Sequence, residues 1–341
     1  MSASREWQLR RRPMGAPVDD DVALVEVDLP GPGPGEILVR NVVMSVEPYM
    51  LGRMSDARSY AEQYAIGAPM TGHAVGRVVA SEEADVPVGA WVRHERGWRE
   101  LALLPAKEAE QIDVTDFGPS AHLGVLGLTG MTAYVGLLRV AALRPGDTVF
   151  VSAAAGAVGS TAGQIAKAHG CTVIGSAGSQ AKADLLTGEL GFDAAFDHRA
   201  GRARDLLPAA LERAGADGLD VHFDNVGGEQ LEAAIRCMRE GGRLALCGAI
   251  STYNATEPTP GPRNLLLMIW RRLRMEGFLV GDHEDLRPVF ERDMRQWLDD
   301  GAVRPLETRV SGGIAQAWPA FLAMLEGGTV GKAVVELGEA T

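Results

Sequence analysis

The stretch Val151–Ser160, VSAAAGAVGS, contains only small or apolar residues and no charge. It overlaps a strand-like segment, Asp147–Ser152, and opens a helical pattern over Val158–His169 whose apolar residues share one face. A strand, a tight turn of small residues and a helix, in this order, form the context of the G-x-G-x-x-G dinucleotide fingerprint, here with alanine in the first position. The stretch therefore predicts a βαβ fold that binds a nucleotide.

Such a turn requires that its backbone lie close both to the bound pyrophosphate and to the neighbouring helix. Gly156 would let the backbone approach a pyrophosphate, Gly159 would let the helix pack closely, and the free N–H groups of the first helical turn would face the negative charge. The residues of this turn that we predict to contact a cofactor are Ala154, Gly156, Ala157, Val158 and Gly159.

The rest of the chain divides into a β-rich part and an alternating part. Short β-rich runs such as DVALVEVDL and GEILVRNVVMSV dominate up to about residue 120, after which strands alternate with helices. This alternation predicts a parallel sheet, and the β-like tail predicts a return to the first part. We therefore predict an α/β protein with a β domain over 1–121 and 290–341, and a doubly wound, nucleotide-binding domain over 122–289.

Composition excludes several classes of function. The formal net charge is −12, with 45 acidic and 33 basic residues, which argues against a nucleic-acid partner. The longest apolar run, Leu265–Trp270, is far short of the ~20 residues that span a bilayer. The basic N-terminus is followed by no apolar signal region, and three widely spaced cysteines suit a reducing compartment. We expect a cytoplasmic protein with no membrane partner.

The second strand of the alternating part bears on the identity of the nucleotide. An NAD site normally ends this strand in an acid that holds the ribose hydroxyls, but TVIGSAGSQAK has none. Only four of the 33 basic residues are lysines, and one of them, Lys182, stands here. Hydroxyls and a lysine suit a 2′-phosphate, although Lys182 could also be a solvated residue of a first helical turn. The predicted NADP(H) contacts of this region are Ser176, Gly178, Ser179, Lys182, His198 and Arg199.

Several segments in the same order over nearly the whole chain carry a family resemblance: VEPYMLGRM, VSAAAGAVGSTAGQIAK, GSAGSQAK, FDNVGGE, CGAISTYN, RNLLLMIWRRLRMEGFLV and VGKAVVEL. The chain resembles the zinc-independent branch of the medium-chain dehydrogenases/reductases, with its prostaglandin reductases, leukotriene hydroxydehydrogenases and double-bond (2-alkenal) reductases. The resemblance implies a GroES-like domain made from both chain ends, a Rossmann domain between them, NADPH in the cleft, and a homodimer.

Three positions depart from the pattern of that family. His198 stands where members often carry tyrosine, Leu51 where they carry arginine, and Thr329 where they carry asparagine. The first substitution keeps a polar group for the phosphate, whereas the others alter the substrate and nicotinamide sides. Thr329 remains among the predicted cofactor contacts.

The segment TGHAVGRV is similar to the G-H-E segment of zinc alcohol dehydrogenases, which makes His73 a candidate zinc ligand. A catalytic zinc needs three protein ligands, and a structural zinc needs four. No cysteine precedes Cys171, and Ala74 stands where that segment has its acid. We therefore predict no metal and interpret His73 as a hydrogen-bonded residue of the β domain.

Without a metal, the developing alkoxide of a reduced ketone lacks a strong electrophile. The double bond of an α,β-unsaturated carbonyl is easier to reduce, because hydride adds to the β-carbon and the charge spreads into an enolate.

Tyr253 follows a predicted strand at the carboxyl edge of the sheet, where ligands bind. It is our candidate catalytic donor and a predicted cofactor contact. Asn225 and Gly248 are further predicted cofactor contacts, and Tyr49 is a second catalytic candidate that closes the pocket. In the alternative interpretation, Tyr253 caps a loop and Tyr49 lies in a core.

The combined prediction is an NADPH-dependent reductase of the carbon–carbon double bond of α,β-unsaturated ketones or aldehydes. Quinone reduction is the alternative within enzymes, since it uses the same fold and cofactor. A non-catalytic NADP-binding structural or sensing protein is the alternative from another class.

Overall fold

A computed structural model describes residues 1–56, 61–253, 257 and 259–338. Asn254, the last residue of the CGAISTYN segment, lies outside the described residues. The chain divides into two compact units, Met1–Leu123 with Glu307–Thr341, and Gly124–Leu306.

The described strands are β1 (Ser2–Leu9), β2 (Val22–Leu29), β3 (Glu36–Ser45), β4 (Ala74–Ser81), β5 (Trp91–His94), β6 (Leu101–Pro105), β7 (Glu110–Gln111), β8 (Thr148–Val151), β9 (Thr172–Ala177), β10 (Ala194–Asp197), β11 (Leu219–Asp224), β12 (Met238–Leu246), β13 (Arg274–Gly277), β14 (Glu307–Val310) and β15 (Lys332–Glu336). The described α-helices are α1 (Tyr49–Arg53), α2 (Gly118–Ala121), α3 (Leu128–Tyr134), α4 (Ala157–Ala168), α5 (Gln180–Gly188), α6 (Ala203–Arg213), α7 (Gly228–Cys237), α8 (Leu266–Trp270), α9 (Arg287–Asp299) and α10 (Ala317–Leu325).

The first unit is the predicted β domain. Its main sheet has the order β14-β15-β3-β4-β5-β7, with β6 also paired to β3, while β1 and β2 form a separate antiparallel pair. The C-terminal strand β15 runs antiparallel to β3, so the tail returns to the N-terminal part as predicted. Trp98 and Phe321, from distant parts of the chain, pack edge to face with ring centroids 5.8 Å apart in one core.

The second unit contains a six-stranded parallel sheet in the order β10-β9-β8-β11-β12-β13. All four residues of β8 are buried, as is usual for a parallel strand covered on both faces. The strand order reverses direction between β8 and β11, and in open α/β sheets ligands bind beyond the carboxyl ends of the strands at such a point. The predicted Rossmann architecture is therefore confirmed.

The units divide after Leu123 and after Leu306, whereas the sequence predicts boundaries after residues 121 and 289. The second unit is therefore longer than predicted at its C-terminal end, where it includes α9. The reason is the packing of α9 on α3. Tyr134 donates a hydrogen bond to Asp293 Oδ2 at 2.7 Å, and its ring lies against Phe290. No helix in the described part of the chain is long and apolar enough to cross a membrane.

Candidate active site

The turn between β8 and α4 is held on the neighbouring strand by hydrogen bonds. Ala153 adopts a left-handed backbone conformation with φ of +49°, and its N–H donates to Ser176 Oγ at 3.2 Å. The N–H of Ala154 donates to the Ser176 carbonyl oxygen at 2.8 Å. The turn is thus attached to the end of β9, and α4 begins immediately after Gly156.

The two glycines of the turn have different surroundings. A Cβ atom on Gly159 would lie 2.4 Å from the Ala153 carbonyl oxygen, so no side chain fits between helix and turn. A Cβ on Gly156 would meet only that same oxygen, at 3.2 Å, and would otherwise enter open space. Ala157 and Val158 form the first turn of α4 beside this space, and no acidic residue lies there. This turn has the shape and the free N–H groups that a pyrophosphate requires.

Ser176 has a different role from the predicted one. Its side chain is fully buried, and its hydroxyl donates to Gln230 Oε1 at 2.6 Å while it accepts from Ala153 N–H. The hydroxyl is therefore occupied in supporting the turn and does not face a phosphate. The sequence does not reveal this, because Gln230 lies on α7, far along the chain.

Three basic residues lie near one another where β9 and β10 end. Lys182 lies in the first turn of α5, whose N-cap Ser179 accepts the Lys182 backbone N–H at 3.3 Å. His198 and Arg199 directly follow β10. A Cβ on Gly178 would lie 3.7 Å from His198 Nε2 and 3.8 Å from the Arg199 guanidinium. The structure thus brings together the predicted 2′-phosphate contacts other than Ser176.

The electrostatics of this group favour an anion. Burial and, second to it, the charge of Arg199 lower the pKa values of both Lys182 and His198. Like charges that are close together destabilise one another, and a dianionic phosphate between them would relieve this repulsion. We define Lys182, His198 and Arg199 as the cation cluster.

The loop after β11 depends on a buried carboxylate that the sequence analysis missed. Asp224 Oδ1 accepts hydrogen bonds from Ser152 Oγ at 2.8 Å and from the backbone N–H groups of Val226 and Gly227, each at 3.0 Å. Burial raises the pKa of Asp224, but the nearby His222 and these N–H donors outweigh it and lower the pKa. The sequence contains one sign of this role: Asp224 ends a buried strand and comes just before a turn that contains glycines.

Asn225 is oriented by the same network. Its side-chain amide donates to the Ser152 carbonyl oxygen at 2.7 Å, and its backbone N–H donates to Ser152 Oγ at 2.8 Å. Ser152 directly follows β8, so the loops after β8 and β11 are connected at the point where the strand order reverses. This is the part of a Rossmann sheet where a dinucleotide crosses the strand ends.

Tyr253 lies close to this loop. It directly follows a short 3₁₀ turn, Ile250–Thr252, that comes after β12, and 39% of the residue is exposed. A Cβ on Gly248 would lie 3.4 Å from both Tyr253 Oη and the Asn225 carbonyl oxygen, so these three predicted residues share one edge. Burial raises the pKa of Tyr253, and a backbone hydrogen bond with Ala249 partly offsets the rise. The phenol is therefore protonated at neutral pH and available as a donor.

Two predicted site residues belong to the first unit. Tyr49 begins α1, and burial together with the charge of Glu47 raises the pKa of its phenol. Thr329 precedes β15 and is half-buried. The roles of both residues in the site stay predictions.

Glu47 is buried in the first unit, close to the half-buried His73. The Glu47 carboxylate pairs with Lys332 and accepts from Ser45 Oγ at 3.2 Å. Burial lowers the pKa of His73, while Glu47 and Glu95 oppose the decrease. Among the residues that the structure describes, no group of three or more His, Cys, Asp or Glu side chains is arranged to hold a metal.

Known proteins are similar to this chain over nearly its full length. Residues 5–112 match the family model described as the N-terminal domain of oxidoreductase, and residues 157–294 match the one described as zinc-binding dehydrogenase. An NADP(+)-dependent 2-alkenal reductase from Nicotiana tabacum is 40% identical over 338 residues, which cover 98% of this chain and 97% of the relative. Prostaglandin reductase 1 from Rattus norvegicus is 38% identical over 345 residues, covering 98% of this chain and 100% of the relative.

A solved structure agrees with these matches. CurA from Vibrio vulnificus, in complex with NADPH, is 40% identical and superposes with a TM-score of 0.92, covering 98% of this chain and 99% of CurA. The predicted resemblance is thereby confirmed. The chain belongs to the zinc-independent branch of the medium-chain dehydrogenase/reductase family that contains the 2-alkenal and prostaglandin reductases.

Proposed function

We propose that this protein uses NADPH to reduce the carbon–carbon double bond of α,β-unsaturated ketones or aldehydes. One observation carries the proposal: the glycine turn, the cation cluster and the phenol of Tyr253 all lie beyond the carboxyl ends of one parallel sheet. The names of the relatives, a 2-alkenal reductase and a prostaglandin reductase, support the same class of substrate.

The cofactor fits the residues that are present. Gly156 and the first turn of α4 would hold the pyrophosphate, and the cation cluster with Ser179 would hold the 2′-phosphate. Asn225 and Gly248 lie where the nicotinamide half would pass, and we keep Thr329 as a candidate contact from the first unit. Bound NADPH would supply a hydride to the β-carbon of the substrate.

The residues of this chain would then act on the enolate that hydride addition produces from the substrate. Tyr253, protonated at neutral pH, would donate a hydrogen bond to the enolate oxygen or deliver the proton to the α-carbon. We keep Tyr49, a half-buried residue of the first unit, as the second candidate for a role in the reaction.

A panel of enones, enals and quinones, assayed by NADPH oxidation, tests this function. We expect turnover with enones and enals to exceed turnover with quinones. Preference for quinones would favour the alternative enzyme, and binding of NADPH without turnover of any panel member would favour a non-catalytic protein.

Cofactor choice is the first testable consequence. NADPH should bind at least about tenfold more tightly than NADH, equivalent to ~1.4 kcal/mol, because the cation cluster replaces the acid of an NAD site. Lys182→Ala should remove most of this margin, as measured by equilibrium titration. Lys107→Ala, at an exposed lysine of the first unit, should leave the preference unchanged. Equal affinity of the unmodified protein for both cofactors would contradict the assignment.

Metal independence is the second consequence. We expect full activity after exhaustive chelation and no stoichiometric zinc by elemental analysis, because a catalytic zinc would need three protein ligands. The opposite result, one zinc per chain lost together with activity, would reverse our interpretation of His73.

We also propose a cytoplasmic homodimer formed through the second unit. Strand β13 lies at one edge of the described parallel sheet, and the adjoining residues Ile269 and Trp270 are 72% and 64% exposed. Leu265 and Leu266 extend this apolar surface. Light scattering should give the mass of a dimer, and Trp270→Glu should shift it towards the monomer. Val88→Glu, at an exposed valine of the first unit, is the control. A monomeric unmodified protein would refute the proposal.

A further inference from the structure

His198 is the member of the cation cluster whose charge can change near neutral pH, since histidine normally titrates there while lysine and arginine stay charged. The side chain is exposed, and it follows β10 directly. Its backbone N–H donates to the Ala177 carbonyl oxygen at 2.9 Å, which ties it to the end of β9. The imidazole is therefore held beside Gly178, with Nε2 3.7 Å from the position of a Cβ there.

Charged groups surround the imidazole on two segments, the one that follows β10 and the first turn of α5. Arg199 and Asp197 lie on its own segment, and Asp197 Oδ1 accepts the Arg199 backbone N–H at 2.9 Å. Lys182 approaches from α5 and experiences the same Arg199 charge. Although the residue is exposed, partial burial of the imidazole and then the charge of Arg199 lower the pKa of His198, while Asp197 opposes the decrease. Without a ligand, His198 is thus mostly neutral at pH 7.

We propose that His198 makes the affinity of this chain for 2′-phosphorylated adenine dinucleotides depend on pH, by taking up a proton when the 2′-phosphate binds. The inference rests on the proposed function, which places that phosphate at the cation cluster. A dianion beside the imidazole favours the charged form, so binding and protonation support one another. A nucleotide without the 2′-phosphate offers no such partner.

The direction of the effect follows from the two pKa values of His198. Binding raises the pKa from its low value in the free protein, so the added affinity is fully present below the free value. It is lost as the pH rises through the value in the complex. The phosphate itself has a pKa of about 6, and the neighbouring cations would make it release a proton on binding, which has the opposite sign. Measurements at pH 6.5 and above limit this second effect.

Isothermal titration calorimetry with the full chain tests the proposal, with 2′,5′-ADP and 5′-ADP as probes between pH 6.5 and 8.5. The variant His198→Tyr retains a hydrogen-bond donor that does not titrate in this range. The pH dependence of its affinity for 2′,5′-ADP therefore measures the titration of the phosphate without that of the histidine. The affinity of the unmodified protein for 2′,5′-ADP, divided by that of the variant, should fall by about threefold over this range, for a rise of about one pKa unit on binding. The ratio for 5′-ADP should stay constant.

Two further measurements complete the test. Repeating the titrations in buffers of different ionisation enthalpy should show proton uptake by the unmodified protein and none attributable to histidine in His198→Tyr. His283→Gln, at a histidine outside the site, should behave as the unmodified protein. If His198→Tyr does not fold, the imidazole signal of His198, followed by NMR in the unmodified protein, should titrate about one unit higher with 2′,5′-ADP.

The possible failures are distinguishable. Tighter binding of 2′,5′-ADP than of 5′-ADP, with the same pH profile for the unmodified protein and His198→Tyr, would overturn the inference alone. Equal binding of 2′,5′-ADP and 5′-ADP at every pH would overturn the proposed cofactor site and the inference with it.

Discussion

Replacing Tyr253 by phenylalanine is expected to lower turnover of an enone by about 100-fold or more, the usual scale of a general acid's contribution. The phenol lies at the edge shared with Asn225 and Gly248, and burial raises its pKa, so it holds its proton at neutral pH. Steady-state kinetics at saturating NADPH would measure the loss. A decrease nearer one hydrogen bond, ~1 kcal/mol, would mean that Tyr253 only orients the enolate oxygen while water supplies the proton.

Isotope labelling tests the reaction that this substitution assumes. Deuteride from labelled NADPH should appear at the β-carbon of the product, and the α-carbon should take its hydrogen from solvent. Tyr134→Phe is a matched control, because that phenol donates to Asp293 on α9 and belongs to the packing of the second unit. It should affect stability more than turnover. Label at the carbonyl carbon, giving an allylic alcohol, would show a carbonyl reductase instead.

Replacing Asp224 by alanine is expected to destabilise the protein by about 3 kcal/mol or more, because several buried donors lose their acceptor at about 1–3 kcal/mol each. These donors are Ser152 Oγ and the backbone N–H groups of Val226 and Gly227. Denaturant unfolding measures the difference. Asp217→Asn, at an exposed carboxylate paired with Arg239, should leave stability nearly unchanged. An unaltered unfolding midpoint in Asp224→Ala would contradict the role of this network.

The same carboxylate predicts how stability responds to acid. The pKa of Asp224 is lower in the folded protein than its ordinary value, so its contribution is present above the unfolded-state pKa. That contribution is lost as the pH falls through the folded-state pKa. Asp224→Asn should therefore lose less stability than the unmodified protein between neutral and acidic pH. Parallel curves for the two proteins would mean that Asp224 is not held ionised by its partners.

The sequence predicted the fold because its signals are local. The turn around Gly156 and Gly159 lies between a strand and a helix that are adjacent in the chain, and the alternating elements around it allow few other topologies. The helix predicted over Val158–His169 is observed at Ala157–Ala168, and the predicted order of strands was sufficient for the parallel sheet. The absence of an acid after β9 and the presence of Lys182 could likewise be read from neighbouring residues.

Only the tertiary structure decided which polar groups remain available to a ligand. Ser176 is as plausible a phosphate donor in sequence as Ser179, yet its hydroxyl is buried between the turn and Gln230 of α7. Asp224 supports the loop of Asn225 through Ser152, which lies in the turn after another strand, β8. The assignment of α9 to the second unit similarly depends on Tyr134. Secondary structure follows from residues close together in the chain, whereas burial and hydrogen-bond pairing follow from contacts between segments far apart, which no local pattern specifies.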